Sequence, residues 1–146
     1  MANRKPFQTE DHTDFATRSA FYYGVGERDR HELAYLAMGV AGEAGEFADV
    51  VKKIIREPEP EGHISAYEQR YAQLVDELGD LLWYVSNWMN VLGLTYEEVM
   101  ALNALKLAER YPHNTGNFTY HQQQKLSDVR EALAHGHGNQ SIDPNG

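Results

Sequence analysis

The stretch that decides the fold is LAYLAMGVAGEAGEFADVVKKI, residues 33–54. Its apolar residues recur at helical spacing, so the stretch is predicted to form one long amphipathic helix. Three glycines interrupt it, at Gly39, Gly42 and Gly45, although each mid-helix glycine costs about 1 kcal/mol relative to alanine. The glycines are therefore predicted to let a neighbouring backbone approach this helix closely.

Two pairs of acids lie inside apolar helical sequence. Glu43 and Glu46 belong to the first stretch, and Glu77 and Asp80 belong to LVDELGDLLWYV, residues 74–85. Residues three apart share a helix face, and a short loop makes the two helices antiparallel neighbours. Carboxylates that face each other across such a crossing repel one another unless a cation lies between them. The pattern favours a site for a hard cation, Mg²⁺ or Mn²⁺, over two salt-bridged acid clusters, for which these helix cores largely lack partners.

The composition fits one globular domain with a real core, because 42% of the 146 residues are hydrophobic. The net charge of −9 argues against a nucleic acid polymer as partner, whereas metal ions can bridge a nucleotide's phosphates to carboxylates. The chain has no cysteine, so disulfides and thiolate metal sites are excluded, which is compatible with the cytoplasm. No signal-peptide pattern and no membrane-spanning apolar run is found. A cytoplasmic protein without a membrane partner is expected.

Capping signals and proline or glycine stops predict four main helices and no β-strand, hence an all-α bundle. The predicted helices span residues 9–24 or 9–26, 29–57, 65–92 and 95–111. Thr9 is predicted to cap the first helix. The other three are predicted to begin with capping boxes, formed by Asp29 with Glu32, Ser65 with Glu68, and Thr95 with Glu98. Gly93 is the predicted stop of the third helix.

The two ends of the chain carry weaker signals. Four aromatic residues of the first predicted helix can pack in the core or stack on a base, with the core favoured: Phe15, Phe21, Tyr22 and Tyr23. After Pro112 the pattern loosens. Residues 127–136 are predicted to form one short helix capped by Ser127, followed by a disordered tail.

Several other side chains approach the acids by helical spacing. Asp49 can extend the acidic set, and Lys53 can meet a phosphate, although a solvated lysine near a helix C-terminus fits its spacing equally well. Tyr84 and Asn87 lie seven residues after the two acids of the third helix, so they share the same face. Trp88 returns near that face and can flank a base.

The residues around these acids resemble the MazG-like branch of the all-α nucleoside triphosphate pyrophosphohydrolases. The resemblance covers residues 33–112 and rests on E-x-x-E, then E-x-x-D in the next helix, then N-x-x-K-L-x-x-R-Y-P at the end of the fourth. It implies a MazG-like domain at residues 1–112 and a C-terminal extension at residues 113–146. About 30 residues separate the two acidic motifs, which is long for the family, and the excess falls in the proline-rich loop.

The resemblance also implies an activity: Mg²⁺-dependent hydrolysis of a (deoxy)nucleoside triphosphate to its monophosphate and pyrophosphate, in control or cleaning of nucleotide pools. The implied metal ligands are Glu43, Glu46, Glu77 and Asp80. The implied phosphate or substrate contacts are Lys53, Asn103, Lys106, Arg110 and Tyr111. Glu46 is predicted to orient or deprotonate the attacking water. The family assembles as dimers or tetramers, so a homo-oligomer is expected, and stacking area slightly favours a purine.

Two other functions fit parts of the pattern. A di-iron carboxylate bundle also places acids inside helices, but it expects E-x-x-H pairs, and no glutamate here has a histidine three residues later. A non-catalytic helical interaction module would hold a structural divalent cation on the same acids. That alternative predicts cation binding without nucleotide turnover.

Overall fold

The computed structural model describes residues 8–58 and 65–111, together with residues 124, 127, 128, 130 and 131. These residues contain four main helices and no β-strand: α1 (Thr9–Arg18), α2 (Arg30–Arg56), α3 (Ala66–Leu92) and α4 (Tyr96–Arg110). The predicted all-α class with four main helices is therefore confirmed. Helices α1–α3 belong to one compact unit, residues 1–93, and α4 belongs to a second, residues 94–146. Within the described ranges, no helix has the length and apolar character that crossing a membrane requires.

The starts of α3 and α4 follow their local sequence. Ser65 and Glu68 bond reciprocally through side chain and backbone, and Thr95 and Glu98 do the same. These two capping boxes satisfy N–H groups that have no partner inside the helix. Gly93 ends α3 at φ 66°, in the left-handed region that glycine adopts at low cost. All three predictions are confirmed.

Helix α1 ends at Arg18, so its predicted extension to residue 24 or 26 is wrong. The Ser19 N–H still donates to the Phe15 carbonyl at 3.0 Å, but the Ala20 N–H donates to the Thr17 carbonyl at 3.3 Å, a tighter turn that ends the α-helical pattern. The helix also begins one residue early, since its N-cap is Gln8 rather than Thr9.

The aromatic residues of the predicted first helix are mostly exposed, and three of the four lie in the turn between α1 and α2. Phe21 and Tyr23 lie in this turn and are 92% and 87% exposed, and Phe15 on α1 is 68% exposed. The predicted core packing is therefore wrong for these three. Phe21 and Tyr23 lie beyond Arg18, where the helical periodicity behind the prediction stops. Tyr22 is half-buried, and its ring stacks on Tyr35 of α2 with centroids 4.4 Å apart.

Helices α2 and α3 pack side by side in antiparallel directions. Glu57, just after α2, accepts a hydrogen bond from Arg70 Nε near the start of α3 at 3.0 Å. Gly39, in the first half of α2, instead faces Tyr84 near the end of α3. A Cβ at Gly39 would lie 2.0 Å from a Tyr84 ring carbon. The close approach predicted for this glycine is confirmed, although a ring rather than a backbone makes it.

The other two glycines of α2 have a different environment. A Cβ built on Gly42 or Gly45 would meet no atom of the described residues within 4 Å. The prediction that a neighbouring backbone approaches there is wrong. Both glycines border open space instead, and that space belongs to the site described below.

Gly39→Ala is expected to destabilise the protein by about 1–2 kcal/mol. Overpacking against the Tyr84 ring costs about 1–3 kcal/mol, and the better helix propensity of alanine returns up to about 1 kcal/mol. Gly79→Ala on α3 is the matched control, because a Cβ at Gly79 meets nothing within 4 Å and should stabilise slightly. Urea unfolding curves measure both variants, and equal stabilisation by the two would contradict the contact.

Three side-chain hydrogen bonds attach α1 and the residue after it to α3. They join His12 Nδ1 and Ser86 Oγ (2.9 Å), Trp83 Nε1 and Ser19 Oγ (2.8 Å), and Asn90 Nδ2 and Thr17 Oγ1 (2.6 Å). They place α1 along the C-terminal half of α3.

The C-terminal prediction is only partly within the described residues. Residues 124, 127, 128, 130 and 131 have helical backbone. Ser127 is one of them, so it does not occupy the N-cap position predicted for it. The remainder of the predicted short helix, and the predicted tail, lie outside the described residues.

Candidate functional site

Three carboxylates meet where α2 faces α3. One oxygen each of Glu43, Glu77 and Asp80 can be chosen so that all three lie within 4.8 Å of one another. Glu77 and Asp80 share a face of α3 because they are three residues apart, and Glu43 reaches them from α2. The first two are half-buried and Asp80 is exposed. Oxygen ligands at such separations suit a hard divalent cation.

Glu46, the fourth predicted ligand, lies beside this cluster rather than in it. Its side chain is exposed, and together with Glu77 it lines an adjoining cavity. Its charge nevertheless acts on Glu43. The structure thus brings three of the four predicted ligands together and leaves the fourth at their edge.

The site carries negative charge that the described residues do not neutralise. Partial burial raises the pKa of Glu43 above its ordinary value, and the charges of Glu46, Asp80 and Glu77 raise it further. None of the four acids forms a salt bridge with a residue in the described ranges. The alternative of two salt-bridged acid clusters therefore finds no cationic side chain among the described residues. A bound cation would relieve the repulsion between the carboxylates.

The adjoining cavity has a volume of about 270 Å³ and lies along α2. Gly42 and Gly45 line it, and their missing side chains leave this space open next to the acids. Lys53 also lines it and donates to Asp49 at 2.8 Å. Hydrogen bonds from Lys52 and Lys53 lower the pKa of Asp49 to about 2. Asp49 is therefore an acid with two lysine partners, unlike the four acids beside it.

The predicted base contacts lie in different surroundings. A hydrogen bond with Tyr35 is the main reason that the pKa of Tyr84 is raised to about 12, and the charges of Glu43 and Asp80 contribute. Tyr84 is thus next to the acids. Asn87 is 3% exposed and donates its Nδ2 to the Trp83 carbonyl at 3.0 Å. Trp88 is half-buried on α3.

The remaining predicted substrate contacts belong to α4 and its end. Asn103, Lys106 and Arg110 are exposed, and their spacing of three and four residues places them on one face of α4. Tyr111 is the C-cap residue and is exposed. A set of two cations and an amide on one helix face suits an anionic ligand.

Sequence reasoning missed the role of Glu32. Asp29 alone caps α2, by accepting from the backbone N–H groups of His31 and Glu32. The Glu32 side chain is 1% exposed and turns inward, so the predicted capping box is wrong. It accepts hydrogen bonds from the Tyr22 hydroxyl (3.0 Å) and from the backbone N–H groups of Gly26 and Arg28 (2.7 Å each).

The turn before α2 contains a sequence feature that could have indicated the inward position of the Glu32 carboxylate. Gly24, Gly26 and Arg28 all have positive φ, at 82°, 79° and 54°. Left-handed residues of this kind turn consecutive backbone N–H groups toward one centre, where an anion can accept from them. In the sequence, Gly24 and Gly26 shortly before Glu32 were the feature that could have predicted this arrangement.

The family model of the MazG nucleotide pyrophosphohydrolase domain matches residues 31–115, more than half of the chain. The chain belongs to the MazG family. This MazG chain is also similar to the gene 37 protein of Mycobacterium phage L5, with 41% identity over 96 residues, which are 65% of this chain and 81% of that protein. The name of that relative states no activity. No solved structure matches the chain.

The MazG match contains every acid of the cluster and every substrate contact predicted from the sequence. It begins at residue 31, so α1 and the turn before α2 lie outside it. The MazG match therefore contains the carboxylates, whereas the segment that holds Tyr22 and contacts Glu32 comes before it in the chain.

Proposed function

We propose that this MazG protein hydrolyses a (deoxy)nucleoside triphosphate to the monophosphate and pyrophosphate with Mg²⁺ or Mn²⁺, in control or cleaning of nucleotide pools. The observation that carries the proposal is the meeting of Glu43, Glu77 and Asp80 at one point of a MazG domain. A nucleotide pyrophosphohydrolase family and an unneutralised acidic cluster together favour cation-assisted attack of water on a phosphate chain.

In this proposal Glu43, Glu77 and Asp80 hold the cation, and Glu46 is the fourth ligand of the site. A divalent cation held there supplies positive charge against the phosphate oxygens. Glu46 is exposed and borders the 270 Å³ cavity, where water and substrate have access. It is therefore the best placed of the four to orient or deprotonate the attacking water.

The phosphate chain requires cations of the protein as well. Lys53 borders the same cavity as Glu46, and we assign it to a phosphate, with Asp49 holding its ammonium group in place. Asn103, Lys106, Arg110 and Tyr111 are proposed to contact the substrate, since arginine can bind two phosphate oxygens at once. Tyr84, Asn87 and Trp88 are proposed to lie near the base.

We also propose that the protein works as a homo-oligomer, a dimer or a tetramer. Exposed apolar side chains follow one side of α3 at spacings of four, seven and four residues, at Tyr67, Tyr71, Leu78 and Leu82. Residues at such spacings form one stripe along a helix. A stripe of this size on a soluble surface supports association between copies.

The experiment is a panel of canonical and modified ribo- and deoxyribonucleoside triphosphates, incubated with purified protein and Mg²⁺ or Mn²⁺. At least one is expected to yield monophosphate and pyrophosphate in equal amounts, and EDTA should stop the reaction. Release of orthophosphate and nucleoside diphosphate alone would refute the reaction. Cation binding without any turnover would instead favour the non-catalytic module.

A further inference from the structure

A second cavity, of about 170 Å³, lies where the end of α1, the turn before α2, the start of α2 and the C-terminal half of α3 meet. Its polar lining comes from all four segments: Thr17, Tyr22, Arg28, Glu32, Asn87 and Asn90. Ala20, Val25 and Val91 add apolar wall. The cavity thus combines an apolar surface with a few polar groups, as small-molecule sites do.

The cavity is partly open to solvent, so its volume indicates which ring it can cover rather than which it can admit. An enclosed cavity of about 150 Å³ accepts one benzene ring, so about 170 Å³ suits a single six-membered ring. A fused two-ring system would extend beyond it. Tyr22 lines the cavity, and its ring is held by stacking on Tyr35, so an aromatic wall is already in place for a flat ligand.

Asn87 supplies polar groups that the protein does not use. Its Nδ2 donates one hydrogen to the Trp83 carbonyl, which leaves a second hydrogen and the Oδ1 acceptor. No other described residue bonds to this carboxamide, although the residue is 3% exposed. Every fully buried side-chain nitrogen or oxygen in the described part has a partner. The unbonded Oδ1 is therefore not fully buried, and Asn87 is among the residues that line the cavity.

The other polar groups of the wall are held in place. Tyr22 donates to Glu32, which also accepts from the backbone of Gly26 and Arg28. Asn90 donates to Thr17. The Arg28 guanidinium donates to the Asn90 carbonyl at 3.4 Å, and Asn90 keeps an unbonded Oδ1 as Asn87 does. Of these side chains, Asn87 is the one on the face of α3 that carries Asp80.

The position of Asn87 relates the cavity to the acids. It follows Asp80 by seven residues on α3, about 10 Å along the helix axis. Tyr84 lies between them on the same helix, beside Gly39 of α2. That interval leaves room for a sugar and a phosphate chain between a ring at Asn87 and a cation at the carboxylates.

We propose that this cavity receives the base of a pyrimidine nucleoside triphosphate, and that the Asn87 carboxamide hydrogen-bonds to the edge of the base. The inference rests on the proposed function. A carboxamide offers one donor and one acceptor side by side, which matches the donor–acceptor edge of a pyrimidine. The size of the cavity thus favours a pyrimidine, whereas stacking area alone slightly favoured a purine.

The first test measures kcat and KM for the pyrimidine and purine triphosphates with wild type and Ala20→Leu. Leucine at residue 20 fills part of the cavity, so KM for pyrimidine triphosphates should rise about tenfold or more while kcat changes little. Ala72→Leu is the matched control, because Ala72 is exposed on α3 and makes the same change outside the cavity. Wild-type preference for purines, or equal KM values in the two variants, would overturn the inference.

The second test does not depend on turnover. Calorimetry compares binding of pyrimidine and purine nucleoside monophosphates to wild type, Ala20→Leu and Asn87→Leu. Pyrimidine monophosphates should bind the wild type about tenfold more tightly than purine ones, and both variants should lose that preference. Equal binding of the two classes by wild type overturns the inference even if Asn87→Leu fails to fold.

The two tests separate the inference from the proposed function. Pyrophosphate release from purine and pyrimidine triphosphates at equal efficiency would leave the function standing and remove the pyrimidine site. Selective binding of pyrimidine monophosphates, lost in Ala20→Leu, without hydrolysis of any triphosphate, would remove the function and leave the site.

Discussion

Glu43→Gln is expected to lower the rate of pyrophosphate release at least about 100-fold and to leave the cation-free fold no less stable than wild type. Glu43 is the acid that reaches the α3 pair from α2, so its loss removes one of three converging ligands. Loss of a group that stabilises transition-state charge costs about 10²–10³ in kcat. Partial burial and the charges of Glu46, Asp80 and Glu77 raise the pKa of Glu43 in the fold, and the substitution removes both the buried charge and the repulsion.

Thermal melts with and without Mg²⁺ measure the second half of this prediction. Mg²⁺ should raise the melting temperature of wild type by mass action and that of Glu43→Gln much less. Asp76→Asn is the control, because Asp76 is an exposed acid next to Glu77 that lies outside the cluster. It should keep both activity and the Mg²⁺ effect.

Glu46→Gln separates two roles at the same site. If Glu46 chiefly acts on water, its variant should lose turnover but keep most of the stabilisation by Mg²⁺, since Glu43, Glu77 and Asp80 remain.

A loss of about 3–5 kcal/mol in the cation-free stability of Glu43→Gln would indicate a broken buried ion pair and would contradict the metal site.

Glu32→Gln is expected to destabilise the protein by at least about 3 kcal/mol. Hydrogen bonds to a charged group contribute about 1.5–3 kcal/mol each, and this carboxylate accepts three while 1% exposed. The glutamine amide would direct N–H groups at the backbone N–H of Gly26 or Arg28, so a part-buried hydrogen bond would be replaced by a contact between two donors. For a domain of this size the melting temperature should fall by more than about 10 °C.

Glu27→Gln is the matched control for this prediction. It removes the same charge from the same turn, but Glu27 is exposed, so the effect should stay within about 0.5 kcal/mol. Urea unfolding of the two variants decides the matter. Equal, small effects would show that the carboxylate at residue 32 does not hold the turn.

The features that the sequence predicted well are local. The boxes at Ser65 and Thr95 and the stop at Gly93 depend on residues within one helical turn, so short-range chemistry decides them. The approach of Glu43 to Glu77 and Asp80 required only two helical periods and an antiparallel pairing. Both are properties of α2 and α3 themselves.

The features that the sequence missed depend on partners far along the chain. Glu32 has the spacing of a capping residue, and only its contact with Tyr22 and the turn draws its side chain inward. Glycines of one helix likewise look alike in sequence. The Tyr84 ring of α3 lies against Gly39, whereas no side chain of the described residues lies against Gly42 or Gly45, which border open space.

Because α1 is attached to α3, segments that carry none of the converging acids help to line the second cavity. The carboxylates lie within the MazG match, whereas α1 lies before it, and α1 and the residue after it are joined to α3 by three side-chain hydrogen bonds. Three residues before α2, Thr17, Ala20 and Tyr22, line the second cavity, whereas the three converging acids all lie on α2 and α3. Changes at Thr17, Ala20 or Tyr22 can therefore alter which ligand fits the cavity while the carboxylates that act on it stay as they are.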